Sequence, residues 1–294
     1  MATHPPQTKF ALYLYLLVRS VDLPGHFANT RAVSGNTSKL FNMKYSEYLP
    51  SEKLKSFVLN YWIFEIPKKG KQKKSILHQS FPENSISIVM IDQPYYKGVR
   101  LLGPHNVKFE KEIYSGSIYF GVRLLPWIEI DSDFFIKEKV LNKTSDAPQN
   151  LITLFENINT HDLQSNINII ESRLVIFFNS FKIYQDDLVK YICINLSQGM
   201  TIKNVIENIP YSVRVIQKKF KKVTGLTMKQ FANNLRLRNL WLNVLIDKQL
   251  LVKAIYDYDY YDYAHFVNDF KKKMRISPSN FKDYHSLINI EIPD

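Results

Sequence analysis

The sequence predicts an α+β chain of two parts. The N-terminal part is a β-rich, barrel- or sandwich-like domain with a helical hairpin. The C-terminal part is an all-α domain of two helix-turn-helix units joined by a long helix. Three observations predict this. The apolar period changes near position 150, from the alternation of strands to helical spacing. At 294 residues the chain exceeds what one small core needs. Positions 199–285 hold 16 basic and 7 acidic residues, so the C-terminal third carries most of the +12 net charge.

Composition excludes several classes. With 45% hydrophobic and 22% charged residues the chain is globular, not disordered, collagenous or low in complexity. Its single cysteine, Cys193, excludes a disulfide framework and a Cys-based zinc site, and fits a reducing compartment. The longest apolar run, Phe10 to Val18, falls short of the about 20 residues that cross a bilayer. It lacks the basic start and small-residue cleavage site of a signal peptide. A cytoplasmic protein without a membrane span is expected. Residues 1–42 otherwise show little periodicity, and Met43 directly precedes the first patterned segment. The expectation is that 1–42 are an extension and that Met43 is the native start.

The β-rich domain is expected over 43–185. Phe57 to Phe64 is β-branched and aromatic, Ser85 to Ile91 opens in strict alternation, and Ile118 to Leu124 is a strand stopped by Pro126. Turn signals separate them: Pro67 with Gly70, Pro82-Glu83-Asn84, Pro94, Gly98 and Gly103-Pro104. Lys68 to Lys74 is expected at a solvated hairpin tip. Leu151, Leu154, Phe155 and Ile158, then Ile167, Ile170, Leu174, Phe177 and Phe178, recur at helical spacing. They predict a helical hairpin, turning within 157–168, that completes the domain or pairs two protomers.

The all-α domain is expected over 190–288, with 289–294 as a tail. Thr201 can cap a helix whose apolar face is Ile202, Val205, Ile206 and Ile209, ended by Pro210. Ser212 can cap a second helix with Val215, Ile216 and Phe220 inward. Its other positions are Arg214, Gln217, Lys218, Lys219, Lys221 and Lys222. A short helix, a turn and a basic second helix form the motif that lays its second helix in the major groove. An ordinary hairpin with a lysine-rich solvent face is the alternative. A second copy repeats the spacing. Leu251, Ala254 and Ile255 precede a turn at Asp259 to Asp262. Asp262 then caps a helix that reaches Phe270 and Lys271-Lys272-Lys273. The caps Ser212 and Asp262 each precede a Phe by eight residues. Thr227 to Leu245 reads as the long connecting helix. Such a rod could present two recognition helices to grooves about 34 Å apart.

These residues resemble the DNA-binding domain of AraC/XylS transcription regulators over its full length. The matching pieces are Ser212-x3-Ile216-x-Lys218-x-Phe220, Thr224-Gly225-Leu226-Thr227, Arg236-Leu237-Arg238, and Phe266-x3-Phe270 followed by Ile276-Ser277-Pro278-x2-Phe281-Lys282. The first domain resembles a sensor domain of one family subgroup. Its marks are Leu49-Pro50-x3-Leu54-x2-Phe57-Val58-x2-Tyr61-Trp62, Phe81-Pro82-Glu83, Leu102-Gly103-Pro104 and Gly121-Val122-Arg123-x2-Pro126.

The resemblance implies a regulator that binds double-stranded DNA. It implies base-edge contacts from Arg214, Gln217 and Lys218 in the first recognition helix, and from Tyr263, Ala264, His265 and Asn268 in the second. Arg or Lys can read guanine, and Gln or Asn adenine, so the first set is chemically the better. Ser212, Lys219, Lys221, Lys222, Lys271, Lys272 and Lys273 are expected at phosphates. The chain departs from the family at Pro210, Asp259-Tyr260 and Arg275, where Gly, Gly-Phe and Gly are usual. Asp257, Asp259, Asp262 and Asp269 add negative charge beside the second unit. The first unit is therefore expected to supply more of the affinity.

No enzyme motif stands out. Some family relatives carry a reactive zinc-bound cysteine, but Cys193 lies between Ile192 and Ile194 as a core residue would. His78 and His105 have no metal-ligand spacing, and neither cofactor nor metal is expected. Tyr61, Trp62, Phe64 and Trp127 are candidates for an effector pocket. A small-molecule effector, RNA polymerase and a second protomer are the further partners considered. The competing reading is that the first domain only dimerises or holds a protein partner, without ligand sensing.

Overall fold

A computed structural model describes residues 43–68, 75–159, 162–246, 255, 258, 260–285 and 288–291. Residues 1–42 and most of the Lys68–Lys74 segment lie outside it, as do Leu251, Ala254, Asp257 and Asp259.

The N-terminal part is built on a seven-stranded sheet. Its strands include β1 (Met43–Tyr48), β2 (Val58–Glu65), β4 (Ser87–Gln93), β5 (Tyr96–Leu102), β7 (Ile118–Leu124), β9 (Thr144–Asp146) and β11 (Ile288–Glu291). They lie in the order β11-β1-β2-β7-β4-β5-β9. Separate ribbons pair β3 (Ser75–Ser80) with β6 (Phe109–Tyr114), and β8 (Ile128–Ile130) with β10 (Ile183–Gln185). The central strands are covered on both faces, which suits their run of β-branched and aromatic residues.

Strand alternation sorts these residues into two layers. Tyr61 and Ile63, Ile88 and Met90, and Phe120 and Val122 enter the main core. Trp62 and Phe64, Val89 and Ile91, and Tyr119 face the opposite side, away from that core. Gly121 lets the Trp62 ring lie across the sheet: a Cβ there would stand 2.0 Å from Trp62 Cε2.

Helices close the main core. Short α1 (Lys137–Val140) and α2 (Gln149–Ile152) flank β9 in the chain, and α2 runs on as a 3-10 turn, Thr153–Phe155. The long α3 (Leu163–Asn179) buries Ile170, Leu174, Phe177 and Phe178. The predicted hairpin is therefore lopsided, with one long arm.

Next come α4 (Asp187–Ser197), α5 (Ile202–Ile206), α6 (Val213–Thr224) and α7 (Met228–Ile246), then α8 (Tyr263–Met274) and α9 (Pro278–His285). The packing does not break at residue 190. One continuous core runs from Leu54 through Val205, Ile216 and Phe220 to Phe231. A second core, centred on Trp241, Phe266, Phe270 and Phe281, belongs to the second helical unit. The predicted tail is corrected at Ile288–Glu291, which pairs in parallel with β1 as the sheet's edge strand.

Candidate nucleic-acid interface

The first unit is local in its logic. The Thr201 side chain accepts from Asn204 N at 3.2 Å and starts α5. The Ser212 hydroxyl accepts from Val215 N at 3.4 Å and starts α6. Each satisfies an amide that has no partner inside its own helix. Ile216 and Phe220 point inward, and Phe220 meets the edge of Phe231 at 5.5 Å. Gly225 ends α6 in the left-handed region at φ 76°, a conformation cheap only for glycine. A capping box then opens α7: Thr227 N donates to Gln230 Oε1 at 2.9 Å, and Gln230 N to Thr227 Oγ1 at 3.2 Å.

The outer face of α6 carries exposed Arg214, Gln217, Lys218, Lys221 and Lys222. These positions recur at three- and four-residue spacing, so they share one stripe. Val215, predicted inward, is 49% exposed and stands beside the stripe with Tyr211 and Val213. It falls one position before buried Ile216, a turn of about 100° away. Lys219 does not stand free: its Nζ pairs with Asp186 at 2.9 Å, and this bond raises the lysine above its ordinary range.

The second unit repeats the design. Asp262 accepts from His265 N at 2.7 Å and caps α8, which buries Phe266 and Phe270. Tyr263, Ala264, His265 and Asn268 are exposed, as are Lys271 and Lys272. His265 is partly engaged at home, since Tyr261 N donates to its Nδ1 at 3.4 Å. Asp269 does not add its charge to the outer face: it accepts from Tyr260 OH at 3.0 Å and pairs with Arg236 at 3.5 Å. Arg275 occupies the left-handed position at the end of α8, φ 55°, a conformation that favours glycine.

Lys273 is a correction. It is buried and donates from Nζ to Asn234 Oδ1 at 3.4 Å, and its carbonyl accepts from Lys108 N at 3.0 Å. Burial lowers its ammonium to about 8. It is unsuited to a phosphate contact.

A polar seam between the two parts has no counterpart in the sequence reading. Arg238 Nη2 on α7 donates to Glu47 Oε1 on β1 at 2.9 Å. Glu47 also accepts from Asn60 at 2.8 Å and from Arg123 at 3.3 Å. Burial alone would raise this carboxyl. Arg238 and Arg123, with the hydrogen bonds from Tyr45 and Arg123, hold it below the usual carboxylate range instead. Asn234 donates to Asn84 Oδ1 at 2.9 Å and to the His105 carbonyl at 3.0 Å. His78 Nδ1 bonds the Tyr284 hydroxyl. No single sequence signal connects partners this far apart in the chain.

Behind the seam lies a cavity of about 200 Å³. Trp62 and Phe64 line it, with Tyr45, Val89, Ile91 and Tyr119. Tyr61 and Trp127 do not: both are packed in the main core, where Tyr61 OH donates to Glu171 at 3.1 Å. Lys111 enters the cavity wall, its Nζ 5.6 Å from the centre of the Tyr119 ring. Burial, then Arg100, lowers its ammonium, and among the described residues no carboxylate pairs with it. The C-terminal part contributes Arg238, Leu242, Ile288 and Ile290 to the same walls. Among the described residues no group of three or more His, Cys, Asp or Glu side chains could hold a metal ion. Among them, too, no helix is long and apolar enough to cross a membrane.

Residues 207–284 match a family described as a helix-turn-helix domain, and residues 46–128 match a domain of unknown function (DUF6597). The Transposon Tn10 TetD protein of Escherichia coli is 25% identical over 96 residues, 33% of this chain and 70% of that protein. Among solved structures, ToxT from Vibrio cholerae O395 is 15% identical with a TM-score of 0.38, covering 72% of this chain and 97% of that one. Unsaturated fatty acid bound ToxT from strain SCE256 is 14% identical with a TM-score of 0.40, covering 73% and 96%. Likenesses this low in identity and TM-score say nothing of what this chain binds.

Proposed function

We propose that the C-terminal part of this chain, whose residues 207–284 match a helix-turn-helix domain family, is a DNA-reading domain of the AraC type. From that premise we propose that the chain is a sequence-specific transcription regulator that reads double-stranded DNA with both units. The carrying observation is the exposed stripe of Arg214, Gln217 and Lys218 on a capped helix whose opposite face is buried. Tyr263, Ala264, His265 and Asn268 would lie in a neighbouring groove. Lys221, Lys222, Lys271 and Lys272 suit phosphates, Ser212 serves first as a cap, and Lys219 must leave Asp186 to join them.

The test is binding of the purified full-length chain to its own upstream DNA and to unrelated DNA, across a salt series. A preference of a hundredfold or more, lost in Arg214→Ala with Gln217→Ala, is the expected result. Equal, purely salt-dependent binding would overturn it.

We further propose that the β-rich domain takes a small molecule. The cavity supports this: a small, mostly apolar chamber walled by Lys111, whose ammonium no carboxylate pairs among the described residues, favours an apolar body with an anionic group. Pairing of two protomers and contact with RNA polymerase belong to the same proposal. Ile169 and Ile176, seven residues apart on α3, leave an exposed apolar stripe suited to a second copy. Sedimentation of the wild type against Ile176→Asp tests that part: a shift to monomer is expected.

A further inference from the structure

We infer that β11 is a latch that ties filling of the cavity to the mobility of the second helix-turn-helix unit. The strand is the wall shared by both. It pairs in parallel with β1, Met43 opposite Ile288 and Ser46 opposite Glu291. Its alternate residues Ile288 and Ile290 both line the cavity. Only two residues separate it from α9, whose Phe281 is fully buried against Trp241 and Phe270. Phe281 also meets Phe81 of the β-rich domain at 4.9 Å, and Tyr284 reaches His78. Pulling β11 from the sheet therefore pulls on the aromatic core of the second unit.

The strand is also built to come away. It has four residues, lies at the sheet edge and, among the described residues, has a neighbour on one side only. Short edge strands open at low cost compared with central ones. An occupant touching Ile288 and Ile290 loses those contacts when the strand leaves, so it binds the latched form more tightly. By linkage it must then favour the latched form by the same factor. The recognition face of α8 stays exposed in the latched form. The latch thus controls how firmly that face is held, not whether DNA can reach it.

The second half of this inference rests on the small-molecule reading; the first half does not. The test is amide hydrogen exchange on three full-domain proteins: the intact chain, a chain ending at His285, and Ile288→Asn with Ile290→Asn. Both altered proteins are expected to exchange at least tenfold faster across Tyr263–Met274 and Pro278–His285, with Val213–Thr224 unchanged. Unchanged exchange in the second unit would overturn the latch. Faster exchange everywhere would overturn it too, by showing general loosening. The anionic fluorophore anilinonaphthalene sulfonate then probes the cavity. It is expected to slow exchange of the second unit in the intact chain, and to bind at least fivefold more weakly to both altered proteins. Equal binding to all three would break the tie between cavity and latch. No binding to the intact chain, with exchange still accelerated by removal of the strand, would remove the small-molecule reading and leave a structural clasp.

Discussion

Arg238 on the long α7 helix and Glu47 on the first strand meet at 2.9 Å, although 191 residues separate them. Glu47 is buried beside a second guanidinium, Arg123. Removing one member of such a set leaves the others charged and out of water, which typically costs about 3–5 kcal/mol. Glu47→Gln is therefore expected to destabilise the chain by about 3 kcal/mol in urea unfolding. Arg238→Met should cost less, because Arg123 still partners the carboxylate. Equal losses would show that Arg238 carries the joint alone.

The two recognition helices are expected to contribute unequally. A good bidentate base contact is worth roughly 1–3 kcal/mol. Gln217 is exposed on a stripe with Arg214 and Lys218, whereas Asn268 shares its face with Tyr263 and Ala264. Gln217→Ala should weaken binding to specific DNA by about tenfold and relax one base position. Asn268→Ala should lose clearly less. A binding assay on single-base operator variants checks both, and equal losses would contradict the ranking.

The lysines divide by what they touch. Each phosphate contact removed lowers the salt slope by about 0.9. Lys222→Ala and Lys272→Ala should each do so, since both are exposed. Lys273→Ala should leave the slope unchanged and instead lower the unfolding midpoint, because its Nζ bonds Asn234 inside the seam. A fall in slope with Lys273→Ala would return that residue to the DNA face.

His78 sets a pH dependence. Burial lowers its pKa from 6.5 to about 4, so the folded chain holds it neutral. Below 6.5 the unfolded chain takes up the proton first, and stability falls until about pH 4, then levels off. At about 1.36 kcal/mol per unit, a fall from 6.5 to about 4 limits the loss to about 3 kcal/mol. His78→Phe should flatten this part of the stability–pH curve, measured by urea unfolding between about pH 7 and pH 4.

Arg275 holds a left-handed conformation at φ 55°, which costs a residue with a Cβ about 1–2 kcal/mol. Arg275→Gly is expected to gain about 1 kcal/mol of stability while lowering DNA affinity slightly through the lost charge. Thermal unfolding checks the first, and a salt titration the second. A loss of stability would mean that contacts of the Arg275 side chain outweigh its backbone strain.

How far these features could be read from the chain depended on their range. The caps Thr201, Ser212 and Asp262, the inward Ile216, Phe220, Phe266 and Phe270, and the strand Ile118–Leu124 are set by neighbours a few residues away. Their hydrogen bonds and periods are local, so the amino-acid order alone decides them. Alternation likewise separates Tyr61 from Trp62. It cannot say which side of the sheet is filled and which is hollow, because that depends on what packs above each face. Three successive lysines on a helix point about 100° apart, so Lys271, Lys272 and Lys273 could not all face DNA. Only docking against Asn234 and Lys108 chose Lys273 to turn inward. The Arg238–Glu47 bond, the cavity and the return of Ile288–Glu291 to β1 are of the same kind. Each joins segments far apart in the chain, and only burial of the two parts against one another brings them within reach.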